Sequence, residues 1–128
     1  MLADAQIIGF IPVSSIETAT QFYCGTLGLR MVGNDGFALV LSAGGVMVRC
    51  AATPGFKPQP FTIFGWEVVD VNAKARELAA AGIVFLRFDF FQQDEDGVWT
   101  APGGSKVAWF NDLDGNVLSL SHHAVEQV

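Results

Sequence analysis

The two histidines of the chain, His122 and His123, stand together at the end of "DLDGNVLSLSHH" (residues 112–123), and their spacing decides what they can do. Consecutive strand residues point to opposite faces of a sheet, so adjacent histidines cannot hold one ion; a spacing of two would be needed. The pair reads as the solvated end of a strand, and no metal is assigned to it. Two other ionisable residues lie inside apolar runs. Glu67 is set among Phe64, Trp66 and Val68, where partial desolvation would raise its carboxyl pKa toward that of a useful general base. Arg49, in "GVMVRC" (45–50), carries a planar guanidinium able to hold a carboxylate or phosphate through two parallel hydrogen bonds. An ion pair between Glu67 and Arg49 accounts for the same two residues without chemistry, because buried charges are almost always paired.

Other motifs are weaker. "YCGT" (23–26) and "GGSK" (103–106) lack the strand-turn-helix setting of a nucleophile elbow. "APGGSK" (101–106) lacks the spacing of a phosphate loop and precedes a strand instead of a helix. Cys24 and Cys50 are the two cysteines, and without a secretion signal they read as reduced, buried thiols.

The elements that must position these residues belong to one domain. A chain of 128 residues, 51% hydrophobic and 16% charged, buries about two thirds of its unfolded surface and shows no sign of disorder. Its net charge of −6 with seven unclustered basic residues leaves no electrostatic footprint for nucleic acid or an anionic membrane. The start "MLADAQIIGF" has no basic n-region, and no apolar run approaches the roughly 18 residues of a membrane span. A cytoplasmic location is expected.

The element order is written twice. "QIIGFIPV" (6–13) alternates as a strand, Ser14 with Glu17 forms a capping box, and a helix follows in "IETATQFYCGTLG" (16–28) with Ile16, Ala19, Phe22 and Tyr23 on its apolar side. Three strands come next: "RMVGND" (30–35), "FALVLSA" (37–43) and "GVMVRC". The pattern returns with the strand "PFTIFGWEVV" (60–69), a cap at Asp70, the helix "VNAKARELAAAG" (71–82) closed by Gly82, and strands "IVFLRFD" (83–89), "SKVAWFND" (105–112) and "GNVLSLSH" (115–122). Adding 55 to a residue number carries Ile8 onto Ile63, whereas adding 70 carries Gly45 onto Gly115 and Arg49 onto Ser119. The second half therefore holds an insertion of 15 residues around "FQQDEDGVWTAPGG" (91–104). Loops longer than about 12 residues usually cover or bind something, and this one reads as a flap in which Phe90, Phe91 and Trp99 either stack on a planar ligand or pin the loop down.

With the stretches "IPVSSIETATQFYCGTLGLRMV" (11–32), "GWEVVDVNAKARELAAAGIVF" (65–85) and "AWFNDLDGNVLSLS" (108–121), the sequence resembles the vicinal oxygen chelate superfamily of glyoxalases, extradiol dioxygenases and bleomycin- or fosfomycin-resistance proteins. The resemblance covers nearly the whole chain. It implies an α+β fold for a single domain, residues 1–128, in which two βαβββ repeats (about 5–52 and 60–123) form curved mixed sheets around a cavity with helices outside. Metal-dependent members of the superfamily take one ligand from the first and last strand of each half, and the matching positions here are Ile8, Arg49, Ile63 and Ser119. Isoleucine has no donor atom and arginine is a fixed cation, so neither a metal nor another cofactor is expected.

Counted by twos from those positions, Ile8 and Phe10, Met47 and Arg49, Ile63, Gly65 and Glu67, and Val117 and Ser119 line the cavity. Such an apolar lining with a few polar groups suits a small molecule. The expected function is metal-free binding of a small molecule between the repeats, with Phe10, Met47, Arg49, Ile63, Trp66, Trp99 and Ser119 in contact with it. The alternative is a lyase, isomerase or dioxygenase-like enzyme using Glu67 as base, or a divergent metal site recruiting Glu67, Asp94, Glu95 or His123. The superfamily's habit of pairing implies a homodimer.

Overall fold

A computed structural model describes residues 1–124 and divides the chain into two units, Met1–Lys57 and Pro58–Val128. The first unit opens with β1 (Ile8–Val13) and a helix whose first turn is α1 (Ile16–Ala19). Ser15 is the N-cap: its side chain accepts the Thr18 N–H at 3.2 Å. The N-cap is thus one residue later than the expected Ser14, and Thr18 instead of Glu17 stands three residues after it. From Thr20 to Thr26 the helix widens into π geometry, and Thr20 bonds through its hydroxyl to the Ile16 carbonyl at the point of change. The wide turn lets the consecutive rings of Phe22 and Tyr23 both bury, edge to face at 5.1 Å. Gly28, at φ +75°, then turns the chain out in the left-handed conformation that favours glycine.

Strands β2 (Arg30–Asn34), β3 (Ala38–Ala43) and β4 (Val46–Ala52) complete a sheet of order β1-β4-β3-β2, with β1 and β4 parallel. One face carries Ile11, Val13, Leu39, Leu41, Val48 and Cys50, all fully buried, and α1 packs against β4 and β3. Side chains of this size contribute about 1.5–3 kcal/mol each when buried, so this face is the core of the unit. Both cysteines are thiols, Cys50 in this core and Cys24 half-buried, where burial raises its pKa.

The second unit repeats the plan: β5 (Thr62–Glu67), α2 (Val71–Ala80), β6 (Trp99–Thr100), β7 (Lys106–Asn111) and β8 (Val117–His122), in the order β5-β8-β7-β6 with β5 and β8 parallel. Asp70 caps α2 by accepting the Ala73 N–H at 3.0 Å, and Gly82 ends it at φ +100°. The helix covers the face that buries Ala108, Phe110, Leu118 and Leu120. The fold is α+β in two βαβββ repeats. Among the described residues, no helix is long and apolar enough to cross a membrane.

One element differs from the sequence expectation. Residues 83–89 do not form a strand; Phe85 makes an isolated bridge to Phe110, and Leu86 donates its N–H to the Trp109 carbonyl at 2.8 Å. The outermost strand of the sheet, β6, comes instead from within the inserted segment. The apolar run in "IVFLRFD" is compatible with a strand, but a sequence pattern alone cannot say whether a ladder forms beside it.

Candidate functional site

Each sheet has a second face, turned away from its helix, and the pairing register states which residues share it. In the second unit Trp99, Val107, Ser121 and Glu67 are aligned in one cross-strand row, and Trp109, Ser119 and Gly65 in the next. The absence of a side chain at Gly65 is a packing requirement. A Cβ there would overlap Ser119 Oγ and come within 2.9 Å of the Ser119 carbonyl oxygen, so the serine hydroxyl lies where residue 65 has no substituent.

Glu67, at the end of β5, is held by donors from β8 and the residue after it. Its carboxylate accepts the His123 main-chain N–H at 2.8 Å, the His123 ring Nδ1 at 2.7 Å and the Ser121 hydroxyl at 3.1 Å. The His123 N–H, followed by the His123 ring and Ser121, keeps this carboxyl below its ordinary pKa although partial desolvation opposes them. Desolvation therefore does not raise Glu67 toward a base active at neutral pH, and the carboxylate is ionised. Its side-chain hydrogen-bond partners are His123 and Ser121, while His122 Nδ1 sits 3.9 Å from Glu67 Oε2 and donates to the Val68 carbonyl at 3.0 Å. Both histidines are about half exposed, as the end of a strand requires.

The inserted segment is knitted down instead of hanging free. Gln93 serves as its internal tie: Oε1 accepts the Phe88 N–H at 2.8 Å, and Nε2 donates to the carbonyls of Leu86 and Gly97, both at 2.8 Å. Burial raises the pKa of Asp94, but the Val98 N–H, the Asn72 amide and the Asp96 N–H bring it below the ordinary value. On this framework Phe91 lies parallel to Trp109 with centroids 5.2 Å apart, Trp99 is 4.4 Å from Phe91, and Phe88 meets Trp109 edge on at 5.3 Å. The aromatics form a wall on the open face, and a groove of about 690 Å³ bordered by Phe90, Phe91, Gln93 and Trp99 lies beside it. Asp94 is committed to its own turn and to Asn72, and among the described residues no three His, Cys, Asp or Glu side chains gather as a metal-binding group.

Trp66 does not join this face. It pairs with Leu120 and stacks on Phe110 at 6.2 Å, on the side covered by α2. Its counterpart in the first repeat, 55 residues earlier, is the fully buried Ile11, so strand parity places the half-buried Trp66 on the core side of its sheet. Ile63 occupies the irregularity between the Thr62–Val117 and Phe64–Leu118 pairs, a β-bulge with no equivalent in the regular pairing of β1 with β4.

In the first unit the open face carries Ile8, Phe10, Met47 and Arg49, with Phe10 paired to Arg49 and Ile8 to Met47. Phe10 is 63% exposed, large for an aromatic ring on a central part of a strand. A groove of about 460 Å³ runs beside Ile8, Val32, Ser42 and Met47. The Arg49 guanidinium is held by Asp35 at 2.6 Å. Arg49, then the main-chain N–H groups of Ala38 and Phe37, bring the Asp35 carboxyl down to about 2. Within their own units, Arg49 is held by Asp35 and Glu67 by His123.

Sequence reasoning missed Asp35, Trp109, Phe88 and Gln93. Trp109 had a signal: in "SKVAWFND" it alternates with Ala108 and Phe110 and so shares the face of Val107. Asp35 had only its place in an Asn-Asp-Gly turn, and nothing local links a turn residue to a strand residue fourteen positions on.

Three solved structures illustrate the similarity. A bleomycin resistance determinant encoded on the transposon Tn5 superposes with a TM-score of 0.73 at 21% identity, covering 94% of this chain and 98% of that one. A bleomycin-binding protein complexed with bleomycin gives a TM-score of 0.71 at 22% identity, over 92% and 98% of the two chains. Lactoylglutathione lyase from Agrobacterium tumefaciens gives 0.72 at 15% identity, over 95% and 96%. No curated protein matches the sequence. At these identities the likeness concerns the fold, but the model of the Glyoxalase/Bleomycin resistance protein/Dioxygenase superfamily matches residues 5–120, and the chain belongs to that superfamily.

Proposed function

We propose that the protein binds a small, partly apolar molecule without a metal ion, on the open faces of its sheets. The observation that carries this reading is the donor set. At the strand positions that the superfamily resemblance gives to metal ligands stand Ile8, Arg49, Ile63 and Ser119, of which only the serine hydroxyl is a donor to a cation, and a poor one. These residues do not fit a divalent ion. Apolar area is what the faces offer instead: Phe10 and Met47 beside Arg49 in the first unit, Trp99 and Trp109 beside Ser119 in the second. Arg49 orients an anionic group on the ligand, in exchange with Asp35. Support from the relatives is that one is a bleomycin-binding protein with its ligand in place. A homodimer belongs to the same proposal and is read out by the mass of the protein in solution.

The test is elemental analysis beside native mass spectrometry of the full chain, before and after incubation with zinc, nickel, manganese and iron(II). The expected result is no stoichiometric metal and a retained or added organic mass. One equivalent of metal per chain overturns the proposal.

A further inference from the structure

The Glu67–His123 contact has chemistry of its own. A carboxylate can only accept, so the 2.7 Å contact between Glu67 Oε1 and His123 Nδ1 puts the hydrogen on Nδ1. In the neutral imidazole the lone pair then lies on Nε2, the arrangement in which a carboxylate fixes a histidine tautomer and leaves the far nitrogen ready to take a proton. The carboxylate and the main chain that carries the ring are fixed as well: the His123 N–H donates to Glu67 Oε2, Ser121 donates to Oε1, and the following N–H, of Ala124, donates to Ser105 Oγ at 3.0 Å. Among the described residues, the charged and titratable groups around the dyad are His122, 3.9 Å from Glu67 Oε2, Lys106, which pairs with His122 across β7 and β8, and Asp70, Lys74 and Glu77, which share a groove with Glu67 between the end of β5 and α2.

Its surroundings set the ligand class. Glu67 and Ser121 share the open face with Ser119, with Gly65, which leaves the floor bare, and with Trp109 in the adjacent row. Two strand spacings separate β7 from β5, roughly 10 Å, the length of a one- or two-ring molecule. We infer that Glu67 and His123 form a proton-accepting dyad for a planar weak acid, a phenol or an enol, bound between the aromatic wall and the end of β5. The ligand's O–H bond breaks, its proton passes to His123 Nε2, and the ligand remains as the anion beside an imidazolium whose charge Glu67 balances. No oxidant or other reactant is consumed. The inference rests on the small-molecule reading above and changes the role of Glu67: His123 takes the proton, and Glu67 is a positioning residue.

The full chain is titrated with 4-nitrophenol at a pH just below the probe's own ionisation, following tryptophan fluorescence for binding and phenolate absorbance for proton transfer. Binding with ionisation is expected in the native protein, and a loss of at least about tenfold in the ionised bound fraction in H123A and E67Q. Two-bond nitrogen–proton NMR, without probe, is expected to find His123 protonated at Nδ1 and bare at Nε2, with both tautomers present in E67Q. Binding without ionisation, ionisation undiminished in H123A, no binding at millimolar probe, or an Nε2–H tautomer each overturns the dyad. None of these outcomes concerns metal content, so the elemental analysis decides the parent reading separately.

Discussion

The two sheets share strand order, parallel outer pair and a left-handed glycine at the same turn, Gly45 at φ +79° and Gly115 at φ +91°, yet their open faces are built from opposite materials. Where the first sheet pairs Phe10 with Arg49, the second pairs Gly65 with Ser119, residues at the same places in the repeat. The first face projects a ring and a cation tied by a nearby turn; the second is bare at its centre and takes its apolar area from the insertion. A duplicated framework fixes where side chains stand, and leaves size and charge at those places open to diverge, because open-face positions do not share in the packing of the core.

The largest expected effect falls on the borrowed aromatic wall. Trp109→Ala removes the partner of Phe91, Trp99 and Phe88 together and is expected to cost about 3 kcal/mol, read as a lower urea midpoint. The same change at Phe10, which is mostly exposed, leaves that midpoint nearly unmoved. Next comes the bare centre: Gly65→Ala drives a methyl into Ser119 and is expected to cost about 2 kcal/mol. Ser119→Gly in the same chain recovers part of this, because the contact with the main-chain oxygen remains; full stability in Gly65→Ala alone would show that the two centres are interchangeable. For binding, Phe10→Ala is expected to weaken a ligand of the first face roughly tenfold by calorimetry.

The smallest effect concerns pH. The Asp35 carboxyl, at about 2 in the folded chain, lies below its unfolded value of about 3.9. A depressed carboxyl stabilises above the unfolded value and loses that contribution as pH falls through the folded one, here between about pH 4 and 2. Arg49→Met is expected to move the Asp35 carbon-detected titration upward and leave that of Glu67, which has its own partner, unchanged.

Most of the framework was legible from local signals. Asp70 and Gly82 bound their helix as capping chemistry requires, and the numerical offset between Ile8 and Ile63 marks the repeat in the sequence itself. Sequence reasoning failed where an outcome depended on distant partners. A single bulged residue at Ile63 changes what its strand parity means, and a glutamine in a polar run, Gln93, looks like a solvated tip until its three main-chain bonds are seen. The candidate site was legible by residue type but not by pairing: Arg49 and Glu67 were found, and both chose partners within their own units. Glu67's choice reverses the sign of its expected pKa shift, because hydrogen bonds to the charged form outweigh desolvation.

The outer edge of β7 is shared by two unrelated short segments, Trp99–Thr100 at one end and residues 85–86 at the other. An uninterrupted edge strand offers another chain a row of open hydrogen-bonding groups to zip onto. Divided in this way, with a two-residue strand as its outermost element, the sheet offers no long template on that side. The insertion that brings Phe91 and Trp99 to the aromatic wall also makes this side of the protein a poor seed for aggregation.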